Sequence, residues 1–165
     1  MIDLVNSKVN PELKELAVLV LRRCDMDPGL FVPSLKAALR SSEDPLENRI
    51  GAAQALTVIA PEDLEARELL KQAANRGPSR VRIAAVKALW SIKTPATDLL
   101  PTLAELLSHK LPTVRISALD ALAQMGPAAA SSREAIEALL TDNDPGVSQA
   151  AKSALETLSG SISRN

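Results

Sequence analysis

Apolar and polar positions along the chain follow a helical pattern that recurs at a fixed interval. The pattern is clearest over 112–125, where apolar residues at helical spacing surround Arg115. Arg49, Arg82 and Arg115 are equally spaced, and the same step forward from Arg115 reaches Ser148. Each of these anchors is followed by an Ala-Leu pair at the sixth and seventh positions, and by an apolar residue at the tenth. The pairs are Ala55-Leu56, Ala88-Leu89, Ala121-Leu122 and Ala154-Leu155, and the apolar residues are Ile59, Ile92, Met125 and Leu158. A helical repeat of about 33 residues predicts a stack of helical hairpins, each packed on its neighbours.

Prolines mark the helix boundaries within this pattern. They open successive apolar-periodic runs at nearly equal steps, where a missing N–H costs nothing, at Pro11, Pro45, Pro78, Pro112 and Pro145. The sequence predicts a half repeat at 1–27 with a helix near 11–24, hairpins at 28–60, 61–94, 95–126 and 127–158, and a tail at 159–165. First helices are expected near 30–40, 62–75, 97–108 and 131–140, and second helices near 45–60, 79–92, 112–125 and 145–158. The predicted fold is all-α, an α-solenoid of about four hairpins plus the half repeat.

Several helix starts carry residues that cap backbone N–H groups. Asn10, Asp44 and Asp144 each precede a proline, and Ser131 with Glu134 has the spacing of a capping box. We expect these side chains to satisfy the first amides of their helices.

The second helix of each repeat has a further apolar face, at the first, fourth and eighth positions after the anchor. Its residues are Ile50, Ala53 and Thr57, then Ile83, Val86 and Trp90, then Ile116, Leu119 and Ala123. We expect this face to be buried against the neighbouring repeat, because one hairpin cannot cover two faces. In the last repeat the positions are Gln149, Lys152 and Glu156, which predicts a polar outer face and an array that ends near Leu158.

Composition agrees with a helical core. Hydrophobic residues make up 46% of the 165 residues but aromatic residues only 1%, so the core consists mainly of Ala and Leu. The formal net charge is −1, which argues against nucleic acid as the main partner. No signal peptide or membrane span of about 18 residues is predicted, and one cysteine, Cys24, cannot form an internal disulfide. These features predict a soluble cytoplasmic protein without a membrane partner, either a monomer or part of a larger chain.

The run Val-Arg-x-Ala/Ser-Ala-x-x-Ala-Leu, at 81–89 and 114–122, resembles HEAT repeats, and in particular the class named after phycobilisome lyases. In that family the turn commonly carries an Asp that pairs with the repeated Arg, and the resemblance makes Asp44 a candidate partner of Arg49. Gly77 and Leu111 replace the Asp in two repeats. The resemblance also implies that the second helices line the concave, partner-binding side.

The sequence offers little for catalysis. It has one histidine, His109, in a predicted turn, and one cysteine, which is too few for a zinc or iron site. We expect His109 to be solvated or to cap a helix C-terminus. No Gly-rich phosphate loop is present either. We therefore expect no catalytic, cofactor-binding or metal-binding residue and no enzymatic activity. By resemblance, the HEAT-like hydroxylases with several His-Glu pairs are excluded.

Two surfaces are candidates for binding. The fifth and ninth positions after the anchors face away from both apolar sectors, and among them Gln54, Lys87, Asp120 and Gln124 are the predicted partner-binding residues. The second candidate is a basic patch of Arg76, Arg80 and Arg82, since residues 65–93 carry 7 basic and 2 acidic side chains. This patch is either a solvated surface, a site for an acidic protein, or a site for a nucleic-acid backbone.

Two further features have alternative interpretations. The repeated arginines Arg49, Arg82 and Arg115 either pair with turn carboxylates and carbonyls or contact phosphates. Trp90 either fills space between repeats or stacks on a ligand.

The preferred function is a non-enzymatic module or scaffold that binds a protein partner on the concave face. One alternative is nucleic-acid backbone binding through the basic second repeat, with a steep salt dependence. The other is a lyase-like accessory protein that helps to attach a chromophore.

Overall fold

A computed structural model describes residues 28–159, which form helices joined by short turns and contain no strand. The α-helices are α1 Val32–Arg40, α2 Leu46–Ile59, α3 Leu64–Arg76, α4 Ser79–Ser91, α5 Ala96–Leu107, α6 Pro112–Met125, α7 Arg133–Glu137 and α8 Pro145–Leu158. Short 3₁₀ helices span Pro28–Phe31, Gly126–Ser132 and Ala138–Thr141. The half repeat at 1–27, with its helix and Asn10, lies outside the described residues, as does the tail after residue 159. The predicted all-α fold is confirmed.

The second helices lie within a residue or two of their predicted bounds, and the prolines explain why. Pro112 and Pro145 are the first residues of α6 and α8, and Pro45 and Pro78 immediately precede α2 and α4. A proline ring presets φ to a helical value, and its missing N–H would have no partner in the first turn. Local chemistry therefore determines these boundaries.

The predicted helix at 131–140 is interrupted in the structure. A 3₁₀ helix over Gly126–Ser132 leads into the five-residue α7, and a second 3₁₀ helix follows. The buried residues explain this, since Ala129 and Ser132 are three residues apart, the period of a 3₁₀ helix, and Ile136 follows four residues later. Short side chains at 128–132 allow the tighter winding.

Helix caps only partly follow the prediction. Asp144 accepts hydrogen bonds from the amides of Gly146 and Val147 at 2.9 and 3.1 Å, which confirms its predicted role. The predictions for Asp44 and for Ser131 with Glu134 are wrong, because α2 and α7 begin without a side-chain cap. The backbone amide of Asp44 donates to Ser41 Oγ at 3.2 Å, within the turn that precedes α2.

The chain divides into two compact units between Gly77 and Pro78, within the predicted repeat 61–94. The described part of the N-terminal unit comprises α1 to α3, and α2 packs against both α1 and α3. Its core contains Leu35, Leu56 and Leu70, each fully buried. In the C-terminal unit, α6 packs against α4, α5 and α8, around a core that includes Leu103, Leu119, Leu122 and Ile136.

The predicted buried faces of the second helices are largely confirmed. Six of the residues at the first, fourth and eighth positions after the anchors are buried, namely Ile50, Ala53, Thr57, Ile83, Val86 and Leu119. Trp90, Ile116 and Ala123 are half-buried, whereas Gln149, Lys152 and Glu156 of α8 are exposed. No helix among residues 28–159 is both long and apolar enough to cross a membrane.

Candidate binding surfaces

Three of the predicted partner-binding residues lie in the C-terminal unit. Lys87 is on α4, and Asp120 and Gln124 are four residues apart on one face of α6, which packs against α4. Lys87 is half-buried, and Asp120 and Gln124 are exposed. We call these three residues the second-helix surface. It offers an ammonium group, a carboxylate and an amide.

The fourth predicted residue, Gln54, lies on α2 of the N-terminal unit and is half-buried. Its backbone carbonyl accepts a hydrogen bond from the Thr57 hydroxyl at 2.7 Å. Its role in binding stays a prediction.

The basic patch is divided between the two units. Arg76 is exposed in the last turn of α3, in the N-terminal unit, whereas Arg80 and Arg82 belong to the first turn of α4 in the C-terminal unit. Arg80 is exposed, but the Arg82 guanidinium forms an ion pair with Glu105 on α5. A carboxylate thus compensates the charge of Arg82.

Arg115 also has a carboxylate partner from the repeat that follows. Its Nη2 donates to Asp142 Oδ1 at 2.8 Å and its Nη1 donates to the His109 carbonyl at 2.7 Å. The Arg115 hydrogen bond, together with one from the Asp144 amide, holds the pKa of Asp142 below its usual value. For Arg82 and Arg115, the structure supports pairing within the protein over phosphate contact.

Arg49 is held differently from these two arginines. Its Nε donates to the carbonyl of Leu39 at 2.9 Å, which ties α2 to the end of α1. The pairing with Asp44 implied by the family resemblance is wrong, because Arg49 takes no carboxylate from its own turn. Arg82 and Arg115 instead take carboxylates from the next repeat. Arg49 forms no ion pair with any carboxylate among residues 28–159.

A cleft of about 710 Å³ opens in the N-terminal unit between the first turn of α2 and the second half of α3. Its lining includes Leu46, Arg49, Glu68, Lys71, Gln72 and Arg76. The pattern of the sequence does not predict this cleft. The sequence nevertheless carries one signal of it. Gln72 precedes Glu105 by one repeat, which is the spacing that separates Arg49 from Arg82. Gln72 therefore occupies the position that supplies a carboxylate one repeat later.

Ion pairs join α1 to the start of α3 beside this cleft. Lys36 Nζ lies 2.6 Å from Asp63 Oδ2, and Arg40 makes two hydrogen bonds of 2.7 Å to Glu65. Asp63 also caps α3 by accepting from the Ala66 amide. Burial would raise the pKa of Asp63, but the hydrogen bonds from Lys36 and Ala66 outweigh it and lower the pKa. The four charged side chains hold α1 against α3.

The histidine contributes to the structure of the C-terminal unit. His109 Nδ1 accepts from the Leu111 amide at 3.1 Å, so that its Nε2 proton donates to Ser79 Oγ at 3.0 Å. These bonds differ from the expected solvated or C-capping role, and they join the start of α4 to the turn before α6. No group of three or more His, Cys, Asp or Glu residues close enough to hold a metal ion occurs in the described part of the chain.

Comparisons with known proteins point to a repeat family. A family model described as HEAT repeats matches residues 66–156, more than half of the chain. A search of curated protein sequences finds no significant match. Among solved structures, that of human deoxyhypusine hydroxylase in complex with glycerol is similar, with a TM-score of 0.52 and 25% identity. The match covers 78% of this chain but 43% of the human chain, so this chain spans less than half of that protein's length.

Proposed function

Because the chain belongs to the HEAT-repeat family, we propose that it is a non-enzymatic interaction module that binds a protein partner through the second-helix surface. The observation that carries the proposal is the contrast along α4 and α6. Lys87, Asp120 and Gln124 keep accessible polar groups, whereas the adjacent Ala88, Leu119 and Ala121 are buried. Repeat arrays commonly bind partners on the faces that their stacked helices leave accessible.

The mixed chemistry of the surface favours a polypeptide. Asp120 would repel the phosphates of a nucleic acid, and Arg82 of the basic patch is already paired with Glu105. A polypeptide can match an ammonium group, a carboxylate and an amide with opposite charges and backbone groups. Such complementarity gives specificity more than raw affinity.

The non-enzymatic part of the proposal rests on the composition of the chain. The similar human protein is a hydroxylase by name, but this chain contains one histidine and one cysteine. His109 is engaged by Ser79 and Leu111, which leaves it no free nitrogen for a proton-transfer or ligand role in the described geometry. Catalysis generally needs several titratable groups that converge on one cleft.

The test is an affinity capture from the native lysate with quantitative mass spectrometry. The variant Lys87→Glu/Asp120→Lys reverses both charges of the second-helix surface and leaves the net charge unchanged. The matched control Lys110→Glu/Glu134→Lys makes the same exchange at exposed positions elsewhere in the C-terminal unit. We expect one defined protein to be retained by the wild type and the control and to fall by about tenfold or more with the variant. Circular dichroism confirms equal helix content.

Equal retention by the variant and the control would contradict the proposal. Loss of all captured protein after nuclease treatment would favour the nucleic-acid alternative, which stays a prediction. The lyase-like accessory role also stays a prediction, and capture of a pigment-binding protein would favour it.

A further inference from the structure

Of the three repeated arginines, Arg49 differs in its partners from Arg82 and Arg115. Arg82 and Arg115 each form an ion pair with a carboxylate of the following repeat, supplied by Glu105 and Asp142. The Arg49 side chain has one hydrogen bond, from Nε to the Leu39 carbonyl, and no carboxylate partner among residues 28–159. Its two Nη nitrogens, of which Nη2 is the atom that holds the carboxylate in the other two repeats, make no hydrogen bond to another residue among 28–159.

The missing partner has a specific cause in the sequence. Glu105 pairs with Arg82 from one repeat further along the chain, and the equivalent step from Arg49 reaches Gln72. Gln72 is neutral, and its Nε2 donates to Glu68 Oε1 at 3.2 Å. The amide of Gln72 therefore turns toward its own helix, and residue 72 supplies no negative charge to the cleft that Arg49 lines.

The side chain of Arg49 lines the cleft of the N-terminal unit at this position. Lys71 and Arg76 add two positive charges to the lining, and Glu68 is the one carboxylate among the lining residues. Leu46 and Leu69 supply apolar surface in the same cleft. The volume of about 710 Å³ lies in the range of sites that hold a compact ligand or a few residues of a peptide.

We infer that this cleft is a second binding site, which accepts an acidic segment of a protein partner. An Asp or Glu side chain of the partner takes the place at Arg49 that Glu105 occupies at Arg82, and its neighbours contact Lys71 and Arg76. The Arg82–Glu105 pair serves as the template, since a planar guanidinium and a planar carboxylate match in geometry. Glu68 and the two leucines favour a peptide over a polyphosphate chain, which would be repelled by the carboxylate and gain nothing from apolar surface.

The inference goes beyond the second-helix surface, since it concerns other residues in the other unit. Its test uses the substitution that restores the repeat pattern, Gln72→Glu, which supplies Arg49 with an internal carboxylate and blocks the site. Gln72 is exposed, so the change leaves the core untouched. The matched control is Gln149→Glu, which makes the same change of charge at an exposed position on α8.

The measurement is a titration of the ¹⁵N-labelled full chain with a hexaglutamate peptide, followed by NMR. We expect the amide signals of residues 46, 49, 72 and 76 to shift in the wild type and in Gln149→Glu with similar affinity. In Gln72→Glu the affinity should fall by about tenfold or more, because one charge-assisted pair is lost and a like charge is added. Arg49→Gln should weaken binding by a similar factor.

Several results would overturn the inference. If hexaglutamate shifts no signal of the cleft, the site does not take an acidic segment. If both glutamate variants weaken binding equally, the effect of Gln72→Glu is general charge repulsion. If free glutamate binds as tightly as the peptide, the site takes a free carboxylate and not a polypeptide. If a twelve-residue thymidine oligonucleotide binds more tightly through the same signals, the ligand is a nucleic acid. None of these results bears on Lys87 and Asp120, so the two proposals can fail separately.

Discussion

At the residue scale, alanine determines how closely the helices of this protein approach. The alanines at the third position after the anchors, Ala52, Ala85, Ala118 and Ala151, are all fully buried. The alanines at the sixth position are also buried, and Ala121 is 2% exposed. Protein interiors are close-packed, so a larger side chain at such a contact must displace a neighbouring helix.

Ala121→Leu should therefore destabilise the protein by about 1 to 3 kcal/mol through overpacking. Gln124→Ala, on the exposed side of the same helix, should change stability by less than about 0.5 kcal/mol. Urea denaturation of both variants measures the difference. Equal midpoints would show that the two faces of α6 are assigned incorrectly.

Asp142 is the residue whose ionisation couples most directly to a repeated arginine. Its side chain and that of Arg115 are 10% and 13% exposed. The hydrogen bond from Arg115 lowers the pKa of Asp142 in the folded protein. The pair therefore stabilises the fold at pH values above the ordinary aspartate pKa of about 3.9, and this contribution is lost as the pH falls through the lower folded value.

Asp142→Asn should be less stable than the wild type at pH 7, and the difference should shrink as the pH falls below about 4. Urea denaturation between pH 7 and pH 2.5 follows both proteins. Asp120→Asn serves as a control, because Asp120 is exposed and has no ion pair in the described structure. A constant difference between Asp142→Asn and the wild type at every pH would contradict this account.

At the element scale, two helices with similar starting sequences differ in whether a side chain accepts hydrogen bonds from their first backbone amides. Asp44 and Asp144 both precede a proline that stands at the start of a second helix. Only Asp144 accepts from the first amides of its helix, whereas α2 begins without a side-chain cap. Comparing Asp44 with Asp144 therefore separates the contribution of the cap to stability from that of the aspartate itself.

Asp144→Ala should lower the free energy of unfolding by about 1 kcal/mol, because the amides of Gly146 and Val147 lose their acceptor. Asp44→Ala should change it by less than about 0.5 kcal/mol. Thermal unfolding monitored by circular dichroism measures both variants. A larger effect of Asp44→Ala than of Asp144→Ala would contradict this account of the two helix starts.

At the scale of the whole molecule, α8 carries a polar face at the positions where the preceding second helices carry mostly apolar residues. Gln149, Lys152 and Glu156 are exposed, whereas the corresponding residues of the preceding repeats are buried or half-buried and, apart from Thr57, apolar. A contiguous apolar patch at this place would resemble the face that one repeat offers to the next.

Replacing these three residues by their counterparts in α6, Gln149→Ile/Lys152→Leu/Glu156→Ala, should cause self-association. Size-exclusion chromatography with light scattering measures the mass over a range of concentrations. The control replaces all three by alanine, which removes the same charges with little apolar area. An unchanged mass for the apolar variant, relative to the wild type, would show that the face does not govern association.

The sequence by itself determined the features that depend on neighbouring residues. The repeat period, the second helices that begin at Pro112 and Pro145, and the exposure of Asp120 and Gln124 all follow from helical spacing and proline geometry. The helix starts and the exposed faces depend on signals within a turn or two of helix, and the repeat period can be counted along the chain, so a pattern in the chain is enough to predict all three.

The tertiary structure alone decided which distant groups meet. Glu105 and Asp142 each lie a full helix or more beyond the arginine they bind, and no local rule separates them from Asp44, which is close to Arg49 in the chain and does not pair with it. The cleft beside Arg49 depends on the same long-range geometry, because α2 and α3 both line it. Gln72 is neutral and stands where the next repeat has Glu105, so it gives Arg49 no carboxylate partner. Ion pairing depends on distance in space, which the helix packing sets and the spacing along the chain does not.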